Sequence, residues 1–313
     1  MESRELLMVG PLAPAATAEI EKDVTVHRYW EAEDKPGLLA KIADRVTLVA
    51  TSGHHGCSAE IMQSLPKLEL IASFGVGYDA VDIPAAKRHN VRVTNTPDVL
   101  SDCVAEMTVA LMLAACHRIP HADRYVRNGL WPSGNFPLTD ELTGRSVGIL
   151  GLGRIGKEIA RRLQVFKMHV VYHGRHRQND EPFPYYADLE AMARDVDWLV
   201  VIAPGSPSTT GIVSRKVMEA LGPKGTLVNM ARGSLIDEPA MVELLGSGAL
   251  GGAALDVFVN EPQVPAELLA LPNVVLSPHQ GSATHKTRAA MGALVVANLR
   301  AHMRGDPLIS PVA

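Results

Sequence analysis

The fold of this chain is decided by one stretch, Ser146-Val147-Gly148-Ile149-Leu150-Gly151-Leu152-Gly153-Arg154-Ile155-Gly156. An apolar run enters a Gly-x-Gly-x-x-Gly motif, and apolar side chains then recur at helical spacing, a pattern typical of strand, tight turn and helix. In that setting Gly151 makes the turn, Gly153 lets backbone approach a pyrophosphate, and Gly156 lets the helix pack closely on the strand. Unpaired N–H groups at the start of the helix favour phosphate. The motif therefore predicts a dinucleotide site, and the alternative is a glycine-rich turn without a ligand. The predicted contacts here are Gly151, Leu152, Gly153, Arg154, Ile155 and Gly156.

Composition narrows the class of protein. The chain has 313 residues, which suits two domains of ordinary size. Hydrophobic residues make up 47% and aromatic residues only 4%, so aliphatic side chains must fill the core, as they do in buried parallel sheets. A net charge of −4 gives no long-range attraction for nucleic acid or an anionic membrane. A small-molecule partner is the better expectation.

The N-terminal segment and the cysteines bear on the cellular location of the protein. The first ten residues lack a basic segment followed by a long apolar segment, and no later apolar run reaches membrane-spanning length. The three cysteines, Cys57, Cys103 and Cys116, are odd in number and widely scattered, which fits reduced thiols better than a disulfide framework. We expect a cytoplasmic protein.

Short apolar runs alternate with helical segments on both sides of the glycine motif. This alternation predicts parallel sheets with helices on both faces. The predicted strands before the motif are Leu6 to Val9, Val24 to Tyr29, Val46 to Thr51, Leu68 to Phe74 and Val91 to Asn95. Those after it are Val170 to Tyr172, Trp198 to Ala203, Leu227 to Met230, Ala253 to Val257 and Val274 to Leu276. The predicted fold class is α/β, with two doubly wound, Rossmann-like parallel-sheet domains and an active-site cleft between them.

Two segments mark the domain boundary. Proline and small polar residues in Thr96-Pro97-Asp98-Val99-Leu100-Ser101-Asp102 indicate the start of a helix. Residues 284 to 304 read as one long helix that returns the chain to the first domain. The prediction is a substrate-binding, flavodoxin-like domain of residues 1–96 plus 285–313. Residues 97–284 form the predicted dinucleotide-binding domain.

The end of the strand after the glycine motif selects the cofactor. A carboxylate there would accept from the adenosine ribose hydroxyls and repel a 2′-phosphate. Here Gly174 occupies that place and is followed by Arg175, His176 and Arg177. Guanidinium groups match phosphate geometry, so these four residues predict NADP(H), with NAD(H) as the weaker alternative. A merely solvated basic loop is the other interpretation.

Three later strand ends carry residues that suit carbonyl reduction. Arg232 follows one strand, Glu261 another and His279 the last. Parallel strands end at the same edge, so the three side chains can meet beside a nicotinamide. An arginine can bind a substrate carboxylate and polarise a keto oxygen, a histidine can supply the proton, and a carboxylate can support that histidine. Alone, each residue is as readily structural, and the combination favours catalysis.

Several motifs together resemble one family, the D-2-hydroxyacid dehydrogenases, from end to end of the chain. They are Gly75-Val76-Gly77-Tyr78-Asp79, Gly151 to Gly156, Ala231-Arg232-Gly233, Leu255-Asp256-Val257-Phe258 with Glu261-Pro262, and Pro278-His279 with Gly281-Ser282-Ala283-Thr284. Within the family, residues 96–102, 221–225 and the ribose loop are most similar to glyoxylate/hydroxypyruvate reductases and hydroxyphenylpyruvate reductases. Gln280 departs from the apolar residue expected after the histidine, which bears on local packing or substrate preference.

The resemblance implies roles for individual residues. Arg232 would bind and polarise the substrate, His279 would act as acid and base, and Glu261 would be its partner. Backbone N–H groups near Val76 and Gly77 would hold the substrate carboxylate. Further cofactor contacts would come from Ala203, Pro204, Met230, Ala231, Asp256 and Gly281, with Asp256 near the nicotinamide. A homodimer formed mainly through the cofactor domains is also implied.

Two other features weigh on function. His54, His55 and Cys57 suggest a metal, but no second ligand pair at a recognised spacing accompanies them, so we expect no metal site. Trp131 and Phe136 lie on a Pro/Gly-broken loop and indicate a subunit interface, a lid or local packing.

The predicted function is NADPH-dependent reduction of small 2-oxo acids, glyoxylate and hydroxypyruvate, to D-2-hydroxy acids, with His279 as proton donor. The alternatives are reduction of hydroxyphenylpyruvate or 2-ketogluconate. A non-catalytic protein that senses NAD(P) is the alternative of another class.

Overall fold

The computed structural model of the chain describes residues 4–312. Within them the strands are β1 (Glu5–Met8), β2 (Thr25–Arg28), β3 (Val46–Ser52), β4 (Leu70–Phe74), β5 (Arg92–Thr94), β6 (Ser146–Leu150), β7 (His169–His173), β8 (Tyr185–Tyr186), β9 (Trp198–Val201), β10 (Thr226–Asn229), β11 (Gly252–Leu255) and β12 (Val274–Leu276). The α-helices are α1 (Pro14–Glu21), α2 (Lys35–Ile42), α3 (Ala59–Gln63), α4 (Ile83–Arg88), α5 (Ser101–Cys116), α6 (Ile119–Arg127), α7 (Arg154–Val165), α8 (Leu189–Asp195), α9 (Arg215–Leu221), α10 (Glu238–Ser247), α11 (Ala266–Ala270) and α12 (His285–Arg304).

The chain forms two compact units. The described residues of unit 1 lie in Met1–Leu100 and Ala283–Ala313, and unit 2 is Ser101–Ser282. The first division falls where α5 begins, a few residues after the boundary expected at residue 96. Thr96 itself belongs with unit 1, because its backbone N–H donates to the carbonyl of Gly75 over 2.9 Å.

Unit 1 is built on a five-stranded sheet in the order β2-β1-β3-β4-β5, and every neighbouring pair is parallel. The central strands β3 and β4 consist mainly of aliphatic residues and are almost wholly buried, as expected of a sheet covered on both faces. The helix α12 packs on α1 and β4, and its first turn is capped by the Thr284 hydroxyl, which accepts from the Thr287 N–H. The C-terminal segment therefore completes the unit that the N-terminal segment begins.

Unit 2 contains a seven-stranded sheet in the order β12-β11-β10-β9-β6-β7-β8, again with every pair parallel. The strand order reverses at β6, so the loops that follow β6 and β9 open on the same edge of the sheet. The two parallel sheets confirm the predicted α/β class. The sequence did not predict β8, because a strand of two residues gives no periodicity to detect.

The described helices can be compared with the length and hydropathy that a membrane span requires. Among residues 4–312, no single helix is long and apolar enough to cross a bilayer, and only the bent pair α5 and α6 meets that test, by length and composition, when taken together. Helix α5 packs on α7 and on the strands β10 to β12 within unit 2.

Candidate active site

The glycine turn after β6 has a distinct geometry at each of its three glycines. Gly151 has φ of 103°, and a Cβ added there would lie 2.8 Å from the Cα of Ala203 at the end of β9. A Cβ on Gly156 would lie 2.2 Å from the Gly151 carbonyl oxygen, so α7 packs on the turn only because no side chain intervenes. A Cβ on Gly153 would meet no heavy atom within 4 Å. The first turn of α7 is therefore open to a phosphate group, and the residues present fit a dinucleotide.

The basic loop after β7 is held in place by tyrosines. Its residues Arg175, His176 and Arg177 are exposed. The Tyr185 hydroxyl donates to the Gly174 carbonyl over 3.1 Å, and the Tyr172 hydroxyl accepts from the Gln178 N–H over 2.6 Å. A firmly held loop presents its guanidinium groups at the cofactor edge of the sheet at low entropic cost.

Gln178 joins the two cofactor loops to each other. Its side-chain amide donates to the carbonyl of Leu152 in the glycine turn over 2.7 Å. Sequence reasoning missed this residue, because the bond connects two loops whose separation only the folded sheet defines. Pro204, predicted as a cofactor contact, lies at the end of β9, where its carbonyl accepts from the Thr209 hydroxyl.

His279 and Glu261 form the central pair of the site. Nδ1 of His279 lies 2.7 Å from Oε2 of Glu261, and the other carboxylate oxygen, Oε1, accepts from the Phe258 N–H over 3.1 Å. With Nδ1 turned to the carboxylate, Nε2 is the nitrogen available for proton transfer. The histidine side chain is 43% exposed and that of Glu261 is 19% exposed, so the imidazole remains accessible while its partner is fixed.

The backbone of His279 is held by Asp256. His279 has φ of 53°, in the left-handed region that side chains other than glycine seldom adopt. Its N–H donates to the Asp256 carbonyl over 2.8 Å, and the Asp256 carboxylate accepts from the N–H groups of Gln280 and Gly281 over 2.7 and 2.8 Å. A loop with three such bonds to one buried residue has a single orientation, which fixes the direction of the imidazole.

The side chain of Asp256 is buried beside Gly281 and Met230. It is 1% exposed, and a Cβ on Gly281 would lie 3.1 Å from its Oδ2 and 3.3 Å from Cε of Met230. Asp256, Met230 and Gly281, three predicted cofactor contacts, thus lie together at this edge of unit 2.

Arg232 lies in a turn that Asn229 organises. The Asn229 side-chain amide donates to the Arg232 carbonyl over 2.9 Å, and its oxygen accepts from the Ala231 N–H over 3.1 Å. The guanidinium of Arg232 donates to the Ala231 carbonyl over 2.7 Å. A Cβ on Gly233 would lie 2.0 Å from the Phe258 carbonyl carbon, so this turn packs directly on the loop that leads to Glu261. Asn229 falls inside the predicted strand Leu227 to Met230, where its residue type indicates no role in the site.

Val76 and Gly77 lie in unit 1, in the loop that follows β4. The side-chain amide of Asn95 donates to the Val76 carbonyl over 2.9 Å, and the Thr96 hydroxyl accepts from the Gly75 N–H over 3.0 Å. The loop is thus braced by the residues that follow β5, and it lies at the carboxyl edge of the unit 1 sheet.

The histidines and the cysteine of the β3 loop are the residues that suggested a metal in the sequence. In the part of the chain that the structure describes, no group of three or more His, Cys, Asp or Glu side chains has the geometry of a metal site. Burial raises the pKa of the Cys57 thiol to about 12, so this sulfur stays protonated and is a poor ligand.

A glycine turn open to phosphate, together with the loops that carry Arg232, Glu261 and His279, defines a nucleotide-dependent oxidoreductase. The sequence profile of the D-isomer specific 2-hydroxyacid dehydrogenase NAD binding domain matches residues 109–281. The chain belongs to the D-isomer specific 2-hydroxyacid dehydrogenase family, as its motifs predicted.

Individual relatives match over the whole chain. Hydroxyphenylpyruvate reductase of Plectranthus scutellarioides and glyoxylate/hydroxypyruvate reductase A of Arabidopsis thaliana are each 45% identical over 312 residues, covering 100% of this chain and 100% of the relative. Among solved structures, the NADPH-dependent glyoxylate/hydroxypyruvate reductase of Sinorhizobium meliloti in complex with NADP and malonate is 42% identical, covers 100% of this chain and 97% of that chain, and has a TM-score of 0.95.

Proposed function

We propose that this protein reduces small 2-oxo acids, glyoxylate and hydroxypyruvate, to D-2-hydroxy acids with NADPH. The observation that carries the proposal is the His279–Glu261 pair, which holds an exposed imidazole at the same strand-end edge as Arg232 and the glycine turn. The names of the Arabidopsis and Sinorhizobium relatives support the choice of substrates.

Each of the proposed site residues has one task in this reaction. Arg232 binds the substrate carboxylate and draws electron density from the adjacent keto oxygen. Nε2 of His279 donates a proton to that oxygen, while Glu261 keeps the imidazole in the tautomer and orientation that the transfer needs. The nicotinamide, when bound, supplies the hydride that reaches the keto carbon. Backbone N–H groups near Val76 and Gly77 provide a second set of donors for the carboxylate.

The cofactor preference rests on the basic loop. Arg175 and Arg177 are exposed, no acidic side chain stands at Gly174, and the tyrosines that hold the loop are buried or half-buried. A 2′-phosphate placed there gains charge-assisted hydrogen bonds that a 2′-hydroxyl cannot make.

The decisive experiment is loss of NADPH absorbance with a panel of 2-oxo acids, which includes glyoxylate, hydroxypyruvate, hydroxyphenylpyruvate and 2-ketogluconate. The expected result is the largest kcat/KM with glyoxylate or hydroxypyruvate, and a loss of at least about a hundredfold in His279→Ala with NADPH binding retained. His169→Ala is the matched control, because His169 is exposed at the opposite end of β7.

Other outcomes of the panel separate the alternatives. Preference for hydroxyphenylpyruvate would favour the activity named for the Plectranthus relative. Silence across the panel with tight NADPH binding would favour a protein that senses the cofactor. Near-normal turnover in His279→Ala would overturn the proposed role of that residue.

We also propose a cytoplasmic homodimer, formed through unit 2. Large apolar side chains are exposed along α6 and the loop after it, with Trp131 63% and Leu138 99% exposed. Phe136 of the same loop instead packs locally, with its ring 5.4 Å from that of Tyr125. Exposed apolar side chains concentrated in one segment are typical of a subunit contact.

A further inference from the structure

The strand order of unit 1 creates a binding crevice that the proposed reaction uses only in part. In the order β2-β1-β3-β4-β5, β2 lies on one side of β1, and β3, β4 and β5 follow one another on its other side. The loops after β1 and β3 therefore leave on opposite faces and open a crevice at the carboxyl ends of the two strands, where ligands bind in open α/β sheets. The loop after β3 carries His54 and His55.

His55 is exposed and packs on the backbone that follows β1. A Cβ on Gly10, which follows β1, would lie 2.3 Å from Cγ of His55, so the imidazole rests directly on the glycine backbone. Nδ1 of His55 lies 2.9 Å from the Ser52 hydroxyl. The turn is closed by the Gly56 N–H, which donates to the Ser52 carbonyl over 2.8 Å. His55 is thus held from below and from the side.

The ring of His54 packs against the ring of His55. Its ring meets that of His55 edge to face, with centroids 5.3 Å apart and an interplanar angle of 84°. The side chain is exposed, and it makes no hydrogen bond to any residue between 4 and 312. Both ring nitrogens of His54 are therefore available to a ligand.

The histidine turn lies against the loop assigned to the substrate carboxylate. The Gly53 N–H donates to the Phe74 carbonyl over 3.3 Å, and a Cβ on Gly75 would lie 3.7 Å from the Gly53 nitrogen. His54 directly follows Gly53 in the chain. A 2-oxo acid whose carboxylate is held at Val76 and Gly77 would thus have its remaining carbons within the same edge of unit 1.

We propose that His54 is a specificity residue that hydrogen-bonds a hydroxyl group on carbon 3, or a later carbon, of the 2-oxo acid. The inference rests on the proposed function and adds the chemical class of its substrate: hydroxylated aliphatic 2-oxo acids rather than aryl or plain alkyl ones. His55 is the positioning residue that holds the His54 ring.

The chemistry of the pair favours a hydroxyl over a second carboxylate. Burial, and secondly the nearby His54, lower the pKa of His55, which disfavours a positive charge on the supporting ring. An imidazole whose two ring nitrogens have no other partner can donate through one nitrogen and accept through the other, which matches a hydroxyl group, whereas a carboxylate only accepts.

The test compares hydroxypyruvate with pyruvate, which differ by a single hydroxyl group, in the full-length protein with NADPH. His54→Ala should lower kcat/KM for hydroxypyruvate about tenfold and leave kcat/KM for pyruvate and glyoxylate within about twofold. His54→Gln, which retains a donor and an acceptor, should restore part of the difference. His89→Ala is the matched control, since His89 is exposed at the far end of α4.

The outcomes distinguish the two levels of the proposal. Equal effects of His54→Ala on hydroxypyruvate and pyruvate, or none on either, would overturn the role of His54 while leaving the proposed function intact. Absence of turnover with every acid in the unsubstituted protein would overturn the proposed function and the role of His54 together. Because His54 is exposed and makes no hydrogen bond within the described residues, its substitution leaves the fold unchanged, which a melting curve checks.

Discussion

Arg175 tests the cofactor preference at the scale of one residue. We expect Arg175→Ala to raise the KM for NADPH about tenfold or more and to leave the KM for NADH nearly unchanged, because only the phosphorylated ribose gains a charge-assisted bond. Initial rates with each cofactor at saturating glyoxylate give the two constants. Arg194→Ala, an exposed arginine on α8 paired with Glu190, is the control for loss of positive charge. An equal rise for both cofactors would show that the arginine does not read the phosphate.

Side chains suited to the reaction could be picked out in the sequence, whereas the hydrogen bonds by which other side chains hold the site loops in place could not. His279, Glu261 and Arg232 are residue types suited to proton transfer and carboxylate binding, and each follows an apolar strand. The bonds from the Asp256 carboxylate to Gln280 and Gly281 depend on the path of two loops that are distant in the chain. The same is true of the Asn229 amide around Arg232.

At the scale of elements, the contact between α12 and the sheet of unit 1 contains a titratable group. His302 is buried, its Nε2 lies 2.8 Å from the Glu69 carboxylate, and its Nδ1 accepts from the Arg92 guanidinium. Burial is the main cause that lowers the pKa of His302; Glu69 opposes it, while Arg92 and Arg4 add to it. The imidazole is therefore neutral in the folded protein, with its proton on Nε2.

This arrangement predicts a loss of stability in acid. A histidine whose pKa is lower in the folded protein than in the unfolded chain stabilises the fold at pH values above its unfolded-state pKa. That contribution is lost as the pH falls through the folded-state pKa. We expect the melting temperature to fall between pH 7 and pH 5, and to fall less in His302→Gln. Glutamine cannot titrate, but it can donate to Glu69 and accept from Arg92 as the neutral imidazole does. An identical fall in both proteins would contradict this role for His302.

Elements with a long periodic pattern were predicted well, and short ones were not. The tail helix was expected from residue 284 to 304 and is observed as His285–Arg304 with Thr284 as its cap. Most strands were found within a residue or two, since buried parallel strands are continuous apolar runs. The strand β8 exists because its two tyrosines pair with Tyr172 and His173, which is a tertiary property.

At the scale of the molecule, the exposed apolar segment predicts the oligomeric state. We expect a mass twice that of one chain by light scattering, and a shift toward the single-chain mass when Trp131 and Leu138 are both replaced by serine. Both side chains are exposed in the single chain, so the substitutions disturb no core packing. Val165, exposed on α7, offers Val165→Ser as the control. A single-chain mass for the unsubstituted protein would contradict the proposed homodimer.

The discontinuity of unit 1 has a consequence for the order in which the protein matures on the ribosome. Synthesis delivers the strands of unit 1 first, but α12, which covers β4 and packs on α1, emerges only after all of unit 2. Unit 2 is one continuous segment, so its own core can close while the first sheet still lacks its last helix. The apolar face of β4 thus stays uncovered through most of translation. Of the whole nascent chain, the N-terminal segment, which is synthesised first, is therefore the most exposed to chaperone binding, proteolysis and aggregation.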